Sequence, residues 1–497
     1  MKSIWDNDIN LNNKFKLLNK NISTQVCIIG GGITGISIGY ELFKKNVDFV
    51  ILEKDKVCSK TTNFSSAKIT SQHGIIYHEL AKKYGTNFAK QYLEANQHAI
   101  QNIKDIIDKE NIKCDFKYED SYVFTQNVSD VEVIKSEYKT LNEIRFNDVE
   151  LLDGLDIGIN VCCAIKFKNQ ASFNPVKYTL SLANIIYNKL DNIYNNVCVN
   201  GIKEKDNHYI VYTDKGTVTA QYIVFATHYP IKDIPGFYFL KMYQDTSYII
   251  AIDIGDNSFG GMYINYEDPT ISLRSLEQNN KTILLVGGDN IKTGFANTKD
   301  KYSKLEALAK KLYPDGNILC KWNTQDCITL DKVPYIGRFS KYMPNVLVAT
   351  GFNKWGMTTS NIAANIITDI ILNKSNPYEK IFRATRYKLA KNIKGVYYIA
   401  NQTVQSMIIN KLKIRKENIE AIPNGVGKII KVNNKKVGVY KDLNGEVYTV
   451  NPYCSHLKCL LTFNNLDKTW DCPCHGSRFD IYGKVINSPA SKELRIK

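Results

Sequence analysis

The alternation of apolar and polar residues predicts a strand–helix–strand unit at the start of the chain. The apolar run from Gln25 to Gly30 is typical of a buried strand, and a helical pattern from Ile33 to Lys45 precedes a second strand from Val47 to Glu53. A late strand, Val346 to Thr350, is followed by another helix from about Thr358 to Asn373. Strands linked by crossover helices favour a parallel sheet, and therefore an α/β fold.

The pattern between these elements is mixed. Residues 75–145 are predicted to be mostly helical, whereas residues 197–227 and 240–290 predict strands. Residues 378–420 predict a basic, partly amphipathic helical connector. Short strands separated by Asn-Asn and Asn-Gly turns begin near Ala421 and predict a small all-β module.

The composition is that of a globular protein. Its 497 residues, 44% hydrophobic and 23% charged, suffice for two to four domains and exclude a disordered, collagen-like or coiled-coil chain. No stretch of roughly 20 apolar residues occurs, and Asp6 and Asp8 stand where the apolar part of a signal peptide would lie. We therefore expect a cytoplasmic protein without a transmembrane segment.

The net charge of +16 is concentrated towards the C-terminus. The residues after position 377 contain 22 Lys and Arg but nine Asp and Glu, and so carry +13 of this charge. One interpretation is a solvated basic surface. The other is a docking surface for an acidic partner or peripheral contact with an anionic membrane. Nucleic acid is not an expected partner, because the nucleotide and metal motifs described next account for the chain.

The twelve cysteines are also unevenly spaced. Eight are scattered over the first 327 residues, as buried small hydrophobic residues often are, and four fall between residues 454 and 474. In a cytosolic protein a cluster of that density more often binds metal or performs redox chemistry than stabilises the fold through disulfides.

A glycine-rich turn joins the first predicted strand to the first helix. Gly30, Gly32 and Gly35 fit G-x-G-x-x-G, which permits a tight turn, close approach of a pyrophosphate and close helix–strand packing. Glu53 ends the next strand 23 residues after Gly30, where an acid can hold two ribose hydroxyls. The motif alone leaves FAD and NAD open. A second helix N-terminus near Gly356 suits the negative charge of a flavin, and no second G-x-G-x-x-G is present for a pyridine nucleotide.

Residues of about 15–378 resemble the FAD-dependent amino-acid and amine oxidoreductases of the D-amino-acid oxidase superfamily. The resemblance lies in V-C-I-I-G-G-G-I-T-G, T-T-N-F-S-S-A-K-I-T-S-Q-H-G (61–74), L-L-V-G-G-D-N-I-K-T-G (284–294), Q-D-C-I-T-L-D-K-V-P-Y-I-G (325–337) and A-T-G-F-N-K-W-G-M-T (349–358). It implies that Thr61, Thr62 and Ala67 border the flavin and that the loop from Gly351 to Met357 covers its pyrimidine side. Some relatives attach FAD covalently through a His at the position that Phe64 occupies here. Because a Phe side chain cannot form this bond, we expect noncovalent FAD. The residues predicted to bind FAD are Gly30, Gly32, Thr34, Gly35, Glu53, Lys54, Thr61, Thr62, Ala67, Gly351, Gly356 and Met357.

The cysteine cluster contains histidines at a regular spacing. Cys454-Ser455-His456 is followed, after fifteen residues, by Cys472-Pro473-Cys474-His475. Two thiolates and two imidazoles suit either a tetrahedral zinc ion or a mixed-ligand [2Fe–2S] cluster.

The two boxes, C-S-H-L-K-C and C-P-C-H-G-S, resemble those of Rieske proteins, and the likeness covers about residues 421–497. The resemblance implies that Cys454 and Cys472 bind one iron, that His456 and His475 bind the other, and that Cys459 and Cys474 form a disulfide. In high-potential members a Ser and a Tyr hydroxyl bond to the cluster sulfurs. Here Ser477 is present but Phe479 replaces the Tyr, so we expect a potential in the middle to lower part of the range of about −150 to +300 mV.

Together these features predict three parts. The fold class is α/β, with a Rossmann-like FAD-binding domain, an interleaved β-rich substrate domain and a small all-β Rieske domain. The predicted boundaries are an oxidoreductase unit at 1–377 (FAD-binding segments about 20–100, 150–235 and 320–377; substrate or cap segments about 100–150 and 236–320), a connector at 378–420 and the Rieske domain at 421–497.

We expect a dehydrogenase that oxidises a small amine or amino acid at a CH–NH or CH–NH2 group and passes electrons through its own cluster to an external acceptor, such as an acidic electron-transfer protein. Candidate catalytic residues are His73 as a base, and Arg274 and Lys354 as partners of a substrate carboxylate. An electron-transfer or redox-sensing protein without its own substrate is the alternative. A Rieske oxygenase is disfavoured, because His73 and His78 lack an upstream acid and lie within the flavin domain.

Overall fold

The structure, a computed structural model, describes residues 2–9, 15–295, 301–386, 397, 401, 414 and 416–495. The α-helices within these residues are α1 (Asp6–Ile9), α2 (Ile33–Lys44), α3 (Tyr77–Tyr84), α4 (Thr86–Lys109), α5 (Val131–Glu143), α6 (Pro175–Leu190), α7 (Lys301–Leu312), α8 (Gly356–Ile371) and α9 (Glu379–Phe382). The strands are β1 (Ile22–Ile29), β2 (Phe49–Leu52), β3 (Lys68–Ile69), β4 (Lys117–Thr125), β5 (Val149–Leu152), β6 (Cys163–Ser172), β7 (Ile193–Tyr194), β8 (Val199–Lys205), β9 (His208–Thr213), β10 (Thr217–Phe225), β11 (Met242–Asp253), β12 (Met262–Asn265), β13 (Ile271–Gln278), β14 (Lys281–Lys292), β15 (Asn317–Thr329), β16 (Tyr335–Ser340), β17 (Met343–Thr350), β18 (Val426–Val432), β19 (Lys435–Lys441), β20 (Val447–Val450), β21 (Thr462–Asn464), β22 (Thr469–Asp471), β23 (Arg478–Phe479) and β24 (Val485–Asn487).

The first sheet is built from the apolar runs seen in the sequence. Its strands lie in the order β16-β17-β10-β1-β2-β7, with β9 and β8 added beside β10, and the five strands from β17 to β7 are parallel. Parallel strands are covered on both faces, which explains why the last four residues of β1 and all of β2 are buried and apolar. The predicted helix from Ile33 is confirmed as α2, and the predicted late helix is α8.

The second sheet has nine strands, and eight of them lie in the order β15-β11-β14-β13-β12-β4-β6-β3, with β5 beside β6. Its strand β4 lies inside the stretch predicted to be mostly helical, so that prediction was wrong at this strand. The polar start of β4, K-Y-E-D, hides the strand pattern, and pairing with β6 and β12 stabilises it instead.

Residues 416–495, called here the C-terminal module, form two small antiparallel sheets, β18-β19-β20 and β21-β22-β23-β24. Their common core contains Trp470, Phe479 and the four clustered cysteines, all buried. The predicted all-β module is therefore confirmed. Most of the predicted connector at 378–420 lies outside the described residues. We call residues 15–386 the main body.

Among the described residues, no helix is both long enough and apolar enough to cross a lipid bilayer.

Candidate functional site

The glycine turn between β1 and α2 is fixed by close backbone contacts. A Cβ atom on Gly35 would lie 1.9 Å from the carbonyl oxygen of Gly30, so only glycine permits this packing of helix against strand. Gly30 has a φ of +113° and faces the carbonyl group of Ala226, where a Cβ would lie at 2.4 Å. The turn therefore has the geometry that the dinucleotide motif requires.

Glu53 lies at the end of β2 and holds this turn. Its Oε2 accepts the N–H of Gly31 at 2.6 Å, and its Oε1 accepts the N–H of Asp55 at 2.9 Å. Burial raises the pKa of the Glu53 carboxyl, while the two N–H donors act in the opposite direction. The carboxylate borders the cavity beside α2, where it can receive ribose hydroxyls.

Two hydroxyl contacts hold the other predicted FAD-binding segments against the first turn of α2. The Oγ1 of Thr62 accepts the N–H of Ile33 at 3.0 Å, at the start of α2. The hydroxyls of Thr34 and Ser360 lie 2.8 Å apart and join α2 to α8. α8 begins at Gly356 without a side-chain cap, so its first N–H groups and the positive end of its dipole remain available to a ligand.

A cavity of about 610 Å³ runs between these elements, called here the shared cavity. Ten of the twelve residues predicted to bind FAD line it, and the exceptions are Gly35, which packs behind the turn, and Ala67. Residues of the C-terminal module, including Ser488 and Pro489, also line it. The lining, with a glycine turn at one helix start and a second helix start without a side-chain cap, fits FAD.

The three candidate catalytic residues lie in different surroundings, and their roles stay predictions. Arg274 is buried, and its terminal nitrogens donate to backbone carbonyl oxygens, that of Ala67 at 3.1 Å among them. Lys354 lines the shared cavity and forms an ion pair with Asp245 at 2.9 Å. His73 lies behind the wall, with its ring stacked on Trp355 at 4.8 Å between centroids. Burial lowers the pKa of His73 to about 3, so its imidazole is neutral.

The four predicted iron ligands meet in the C-terminal module. The Cys454 thiol hydrogen-bonds with Cys472 and with the Ser477 hydroxyl, and these contacts lower its pKa to about 6. The rings of His456 and His475 lie 5.2 Å apart between centroids, at 85° to one another. Both Nδ1 atoms are buried and have no hydrogen-bond partner among the described residues. A pair of thiols beside two buried, unpartnered imidazole nitrogens fits the Cys2His2 ligand set of a [2Fe–2S] cluster.

The neighbouring residues support the same site. Cys459 and Cys474 form a disulfide, and their Sγ atoms and that of Cys472 all lie within 4.8 Å of one another. The loops that carry the predicted iron ligands, residues 454–459 and 472–477, are called here the ligand loops. The Ser477 hydroxyl also accepts the N–H of Ala490 at 3.0 Å, which holds the loop after Pro489 against them. Phe479 is fully buried in the same core.

The ligand loops lie directly against the main body. The Nε2 of His456 donates a hydrogen bond to the Asp233 carboxylate. The Nε2 of Gln244 donates to the carbonyl oxygens of His475 at 2.8 Å and Ser488 at 2.9 Å, and that of Gln325 to Gly476 at 2.6 Å. These contacts could not be predicted from the sequence, because isolated polar residues in strands and loops have no recognisable motif.

β11 and β15 separate the shared cavity from the ligand loops. Ser247 and Ile249 on β11 and Thr324 and Asp326 on β15 line the cavity. Their strand neighbours Gln244 and Gln325 point to the opposite face and contact the C-terminal module, because side chains alternate along a strand. We call this two-strand element the β11–β15 layer. A single layer of sheet therefore lies between this wall of the FAD-sized cavity and the ligand loops, and the C-terminal module also reaches the cavity directly through Ser488 and Pro489.

The chain belongs to the FAD dependent oxidoreductase family, whose model matches residues 25–370, and a Rieske [2Fe-2S] domain is matched at residues 414–496. It is therefore an FAD-dependent oxidoreductase with a C-terminal Rieske domain, and its cofactors are FAD and a [2Fe–2S] cluster. The predicted fold class and cofactors are confirmed.

The similar proteins include one that shares both parts. The Bacillus subtilis protein YhfW, named as a Rieske 2Fe-2S iron-sulfur protein, is 36% identical over 97% of this chain and 94% of its own length. The γ-glutamylputrescine oxidoreductase of Escherichia coli is 21% identical over 75% of this chain and 89% of its own length. The crystal structure of L-proline dehydrogenase from P. horikoshii has the same main-body fold, with a TM-score of 0.62 and 17% identity over 74% of this chain and 98% of that one.

Proposed function

We propose that the protein is a dehydrogenase that oxidises a small amine or amino acid at its C–N bond and sends the electrons through its own Rieske cluster to an external acceptor. The observation that carries this proposal is the contact between the two sites. The ligand loops of the C-terminal module lie on one face of the β11–β15 layer, and the other face lines the FAD-sized cavity.

FAD held at the glycine turn would supply a two-electron acceptor for the hydride of the substrate C–H bond, with the nitrogen proton released to solvent and a C=N bond left in the product. A [2Fe–2S] cluster held by Cys454, Cys472, His456 and His475 would supply a one-electron relay to the acceptor. The names of two similar proteins support a substrate of this class, since one is a γ-glutamylputrescine oxidoreductase and another an L-proline dehydrogenase.

The residues of the chain supply binding and orientation. The glycine turn and Glu53 hold the dinucleotide end, and the uncapped start of α8 stabilises negative charge on the flavin. Arg274 ties the Ser66–Ala67 segment to the second sheet, which positions the backbone that borders the flavin. Phe64 offers no nucleophile for attachment, so FAD is held noncovalently. His73 and Lys354 remain candidates for contact with substrate or cofactor.

The acceptor that we propose is an acidic electron-transfer protein that docks beside the ligand loops. Leu457 and Lys458, between His456 and Cys459, are exposed. The exposed Lys492 lies beside the first ligand loop, because its carbonyl oxygen accepts a hydrogen bond from the Ser455 hydroxyl. A basic rim around an exposed apolar side chain complements an acidic partner. We expect this encounter in the cytoplasm, or at an anionic membrane surface.

The test is anaerobic mixing of the holoprotein with a panel of amines and amino acids. We expect at least one substrate to bleach the flavin absorbance, followed by the paramagnetic signal of the reduced cluster, without O2. A Cys454→Ser variant that retains FAD should still be bleached but should not reduce an added one-electron acceptor. No bleaching by any compound, together with fast electron exchange with acidic carrier proteins, would instead favour an electron carrier without its own substrate.

A further inference from the structure

Two carboxylates lie side by side on the β11–β15 layer, and one of them, that of Asp326, lines the shared cavity. Asp245 and Asp326 are direct partners in the antiparallel pairing of β11 with β15, so their side chains lie on the same face. Asp326 lines the cavity, together with Thr324 two residues earlier on β15. Lys354, from the loop predicted to cover the flavin, also lines the cavity here.

One positive charge faces these two negative charges. The Lys354 ammonium lies 2.9 Å from Asp245, and the amide of Asn290 donates to the same carboxylate oxygen at 2.8 Å. Within the described part of the chain, the Asp326 carboxylate has no hydrogen bond and no ion pair. Two carboxylates and one ammonium therefore leave a net charge of −1 at this edge of the cavity.

The buried cations elsewhere on the cavity wall already have partners. The terminal nitrogens of Arg274 donate to the carbonyl oxygens of Ser66, Ala67 and Phe173. The Lys68 ammonium donates to the carbonyl oxygen of Tyr263 and to the Ser272 hydroxyl, both at 2.7 Å. Three of the five N–H groups of Arg274 and two of the three of Lys68 are therefore committed to the protein, and the Glu119 carboxylate lies 4.0 Å from the Arg274 Nε and compensates its charge. A substrate carboxylate would meet cations whose charge and donors are already largely taken up.

A second observation marks the same place as a binding site. Thr324 is 9% exposed, and among the described residues neither its hydroxyl nor the buried amide oxygen of Asn290 has a hydrogen-bond partner. Both residues line the cavity. Buried polar atoms are rarely left unpaired, so these two acceptors beside Asp326 are suited to N–H donors of a ligand.

We propose that Asp326 recognises the ammonium group of an amine substrate that has no carboxylate, with Thr324 and Asn290 accepting its further N–H bonds. This inference rests on the proposed function and narrows its substrate class from amines and amino acids to cationic amines. Asp326 acts here as a specificity-determining residue, and the bonds broken and formed remain those described for the proposed function.

A matched pair of probes tests this proposal without turnover. tert-Butylamine and 2-aminoisobutyrate both lack the α-hydrogen needed for oxidation, and they differ by a methyl group in place of a carboxylate. We expect titration calorimetry of the oxidised holoprotein to show that tert-butylamine binds at least about tenfold more tightly. Equal binding, tighter binding of 2-aminoisobutyrate or no binding of tert-butylamine would overturn the proposal.

Two variants test whether Asp326 is responsible for the preference for tert-butylamine over 2-aminoisobutyrate. Asp326→Asn should abolish the preference for tert-butylamine, whereas Asp256→Asn, which removes an exposed carboxylate in the turn after β11, should leave it unchanged. FAD content and the cluster spectrum verify that each variant is folded. If Asp326→Asn does not fold, binding of the two probes to the wild-type protein still decides whether the proposal holds. If amino acids bleach the flavin as readily as amines do, the narrower substrate class is wrong while the proposed function stands. If neither class bleaches it, both are wrong.

Discussion

The Asp233 carboxylate of the main body accepts a hydrogen bond from Nε2 of His456, an iron ligand of the C-terminal module. A carboxylate on the outer nitrogen of a ligand imidazole orients the ring and raises its basicity. The second oxygen of Asp233 is buried near the Tyr229 hydroxyl, whose pKa is raised by burial and by this carboxylate. The contact therefore joins the two parts of the chain at the cluster itself.

The first prediction concerns the potential of the cluster. Negative charge beside a cluster favours its oxidised form, so Asp233→Asn should raise the midpoint potential by on the order of 60 mV, the one-electron equivalent of a tenfold change in equilibrium. A redox titration followed by electron paramagnetic resonance measures this shift. The control is Asp315→Asn, which removes an exposed carboxylate near the end of α7. An unchanged potential in Asp233→Asn would show that the carboxylate has no influence on the cluster.

A second prediction concerns the two hydroxyl positions around the cluster. Ser477→Ala removes a hydroxyl that contacts Cys454 and should lower the potential, whereas Phe479→Tyr adds a hydroxyl in the same core and should raise it. Each change should be about 60 mV or less, because one hydrogen bond contributes about 1 kcal/mol. Phe463→Tyr is the control, because Phe463 lies on β21, which β22 separates from the strand of Phe479. Shifts of the same sign in Ser477→Ala and Phe479→Tyr would contradict the hydrogen-bond explanation.

A third prediction concerns the fit between the two parts. Gly294 has a φ of +83°, and a Cβ there would lie 2.4 Å from the backbone nitrogen of Pro473. A clash costing on the order of 2 kcal/mol would shift the docking equilibrium about 30-fold, so Gly294→Ala should slow reduction of the cluster after flavin reduction. Gly85→Ala is a matched control, because Gly85 has a φ of +96° and open space around its Cβ position. Stopped-flow spectroscopy distinguishes the two, and equal rates in both variants would rule out a contribution of this contact.

A fourth prediction tests the dinucleotide end of the shared cavity. Glu53→Gln removes the charge that accepts the N–H groups of Gly31 and Asp55 and is expected to receive the ribose. A hydrogen bond to a charged group contributes about 1.5–3 kcal/mol, so the affinity for FAD should fall about ten- to a hundredfold. Fluorescence titration of the apoprotein with FAD measures it. Asp55→Asn, which disrupts the exposed ion pair with Lys60, should change the affinity little.

The fifth prediction is a pH dependence of amine binding. Burial raises the pKa of Asp326 to about 6, with Asp245 acting in the same direction and Lys354 in the opposite one. The ionised carboxylate is present above this pH and is lost below it, whereas an aliphatic ammonium stays protonated over the whole interval. The dissociation constant of tert-butylamine should therefore rise as pH falls below about 6. Asp326→Asn should remove this inflection, and an inflection that survives the substitution would assign it to another group.

The cofactor sites were predictable because their chemistry is encoded locally. Gly30 to Gly35 and each of the two Cys-His boxes place their essential groups within a few residues of each other, so spacing indicates a dinucleotide and a metal centre. The resemblances to known families then indicated FAD and a [2Fe–2S] cluster. The junction was not predictable in this way. Asp233, Gln244 and Gln325 come from a loop and two strands, and their partners lie more than 150 residues further along the chain.

Strand alternation gave part of the missing information. Residues 240–290 were predicted to form strands, and side chains alternate along any strand, but the pattern could not show that both faces of β11 would be covered. Strand β4 escaped prediction for a related reason, since its stability comes from neighbours distant in sequence. The candidate roles of His73, Arg274 and Lys354 were likewise based on residue type, and their surroundings became visible only with the tertiary contacts.

The β11–β15 layer also constrains how such a protein can change over evolutionary time. Insertion or deletion of one residue in either strand would exchange its two faces, moving Asp326 towards the cluster and Gln325 into the cavity. Substrate preference at this edge can therefore diversify through point substitutions but not through changes in strand length. Among homologous sequences we expect variable residue types and constant spacing from Gln244 to Asp253 and from Asn323 to Thr329.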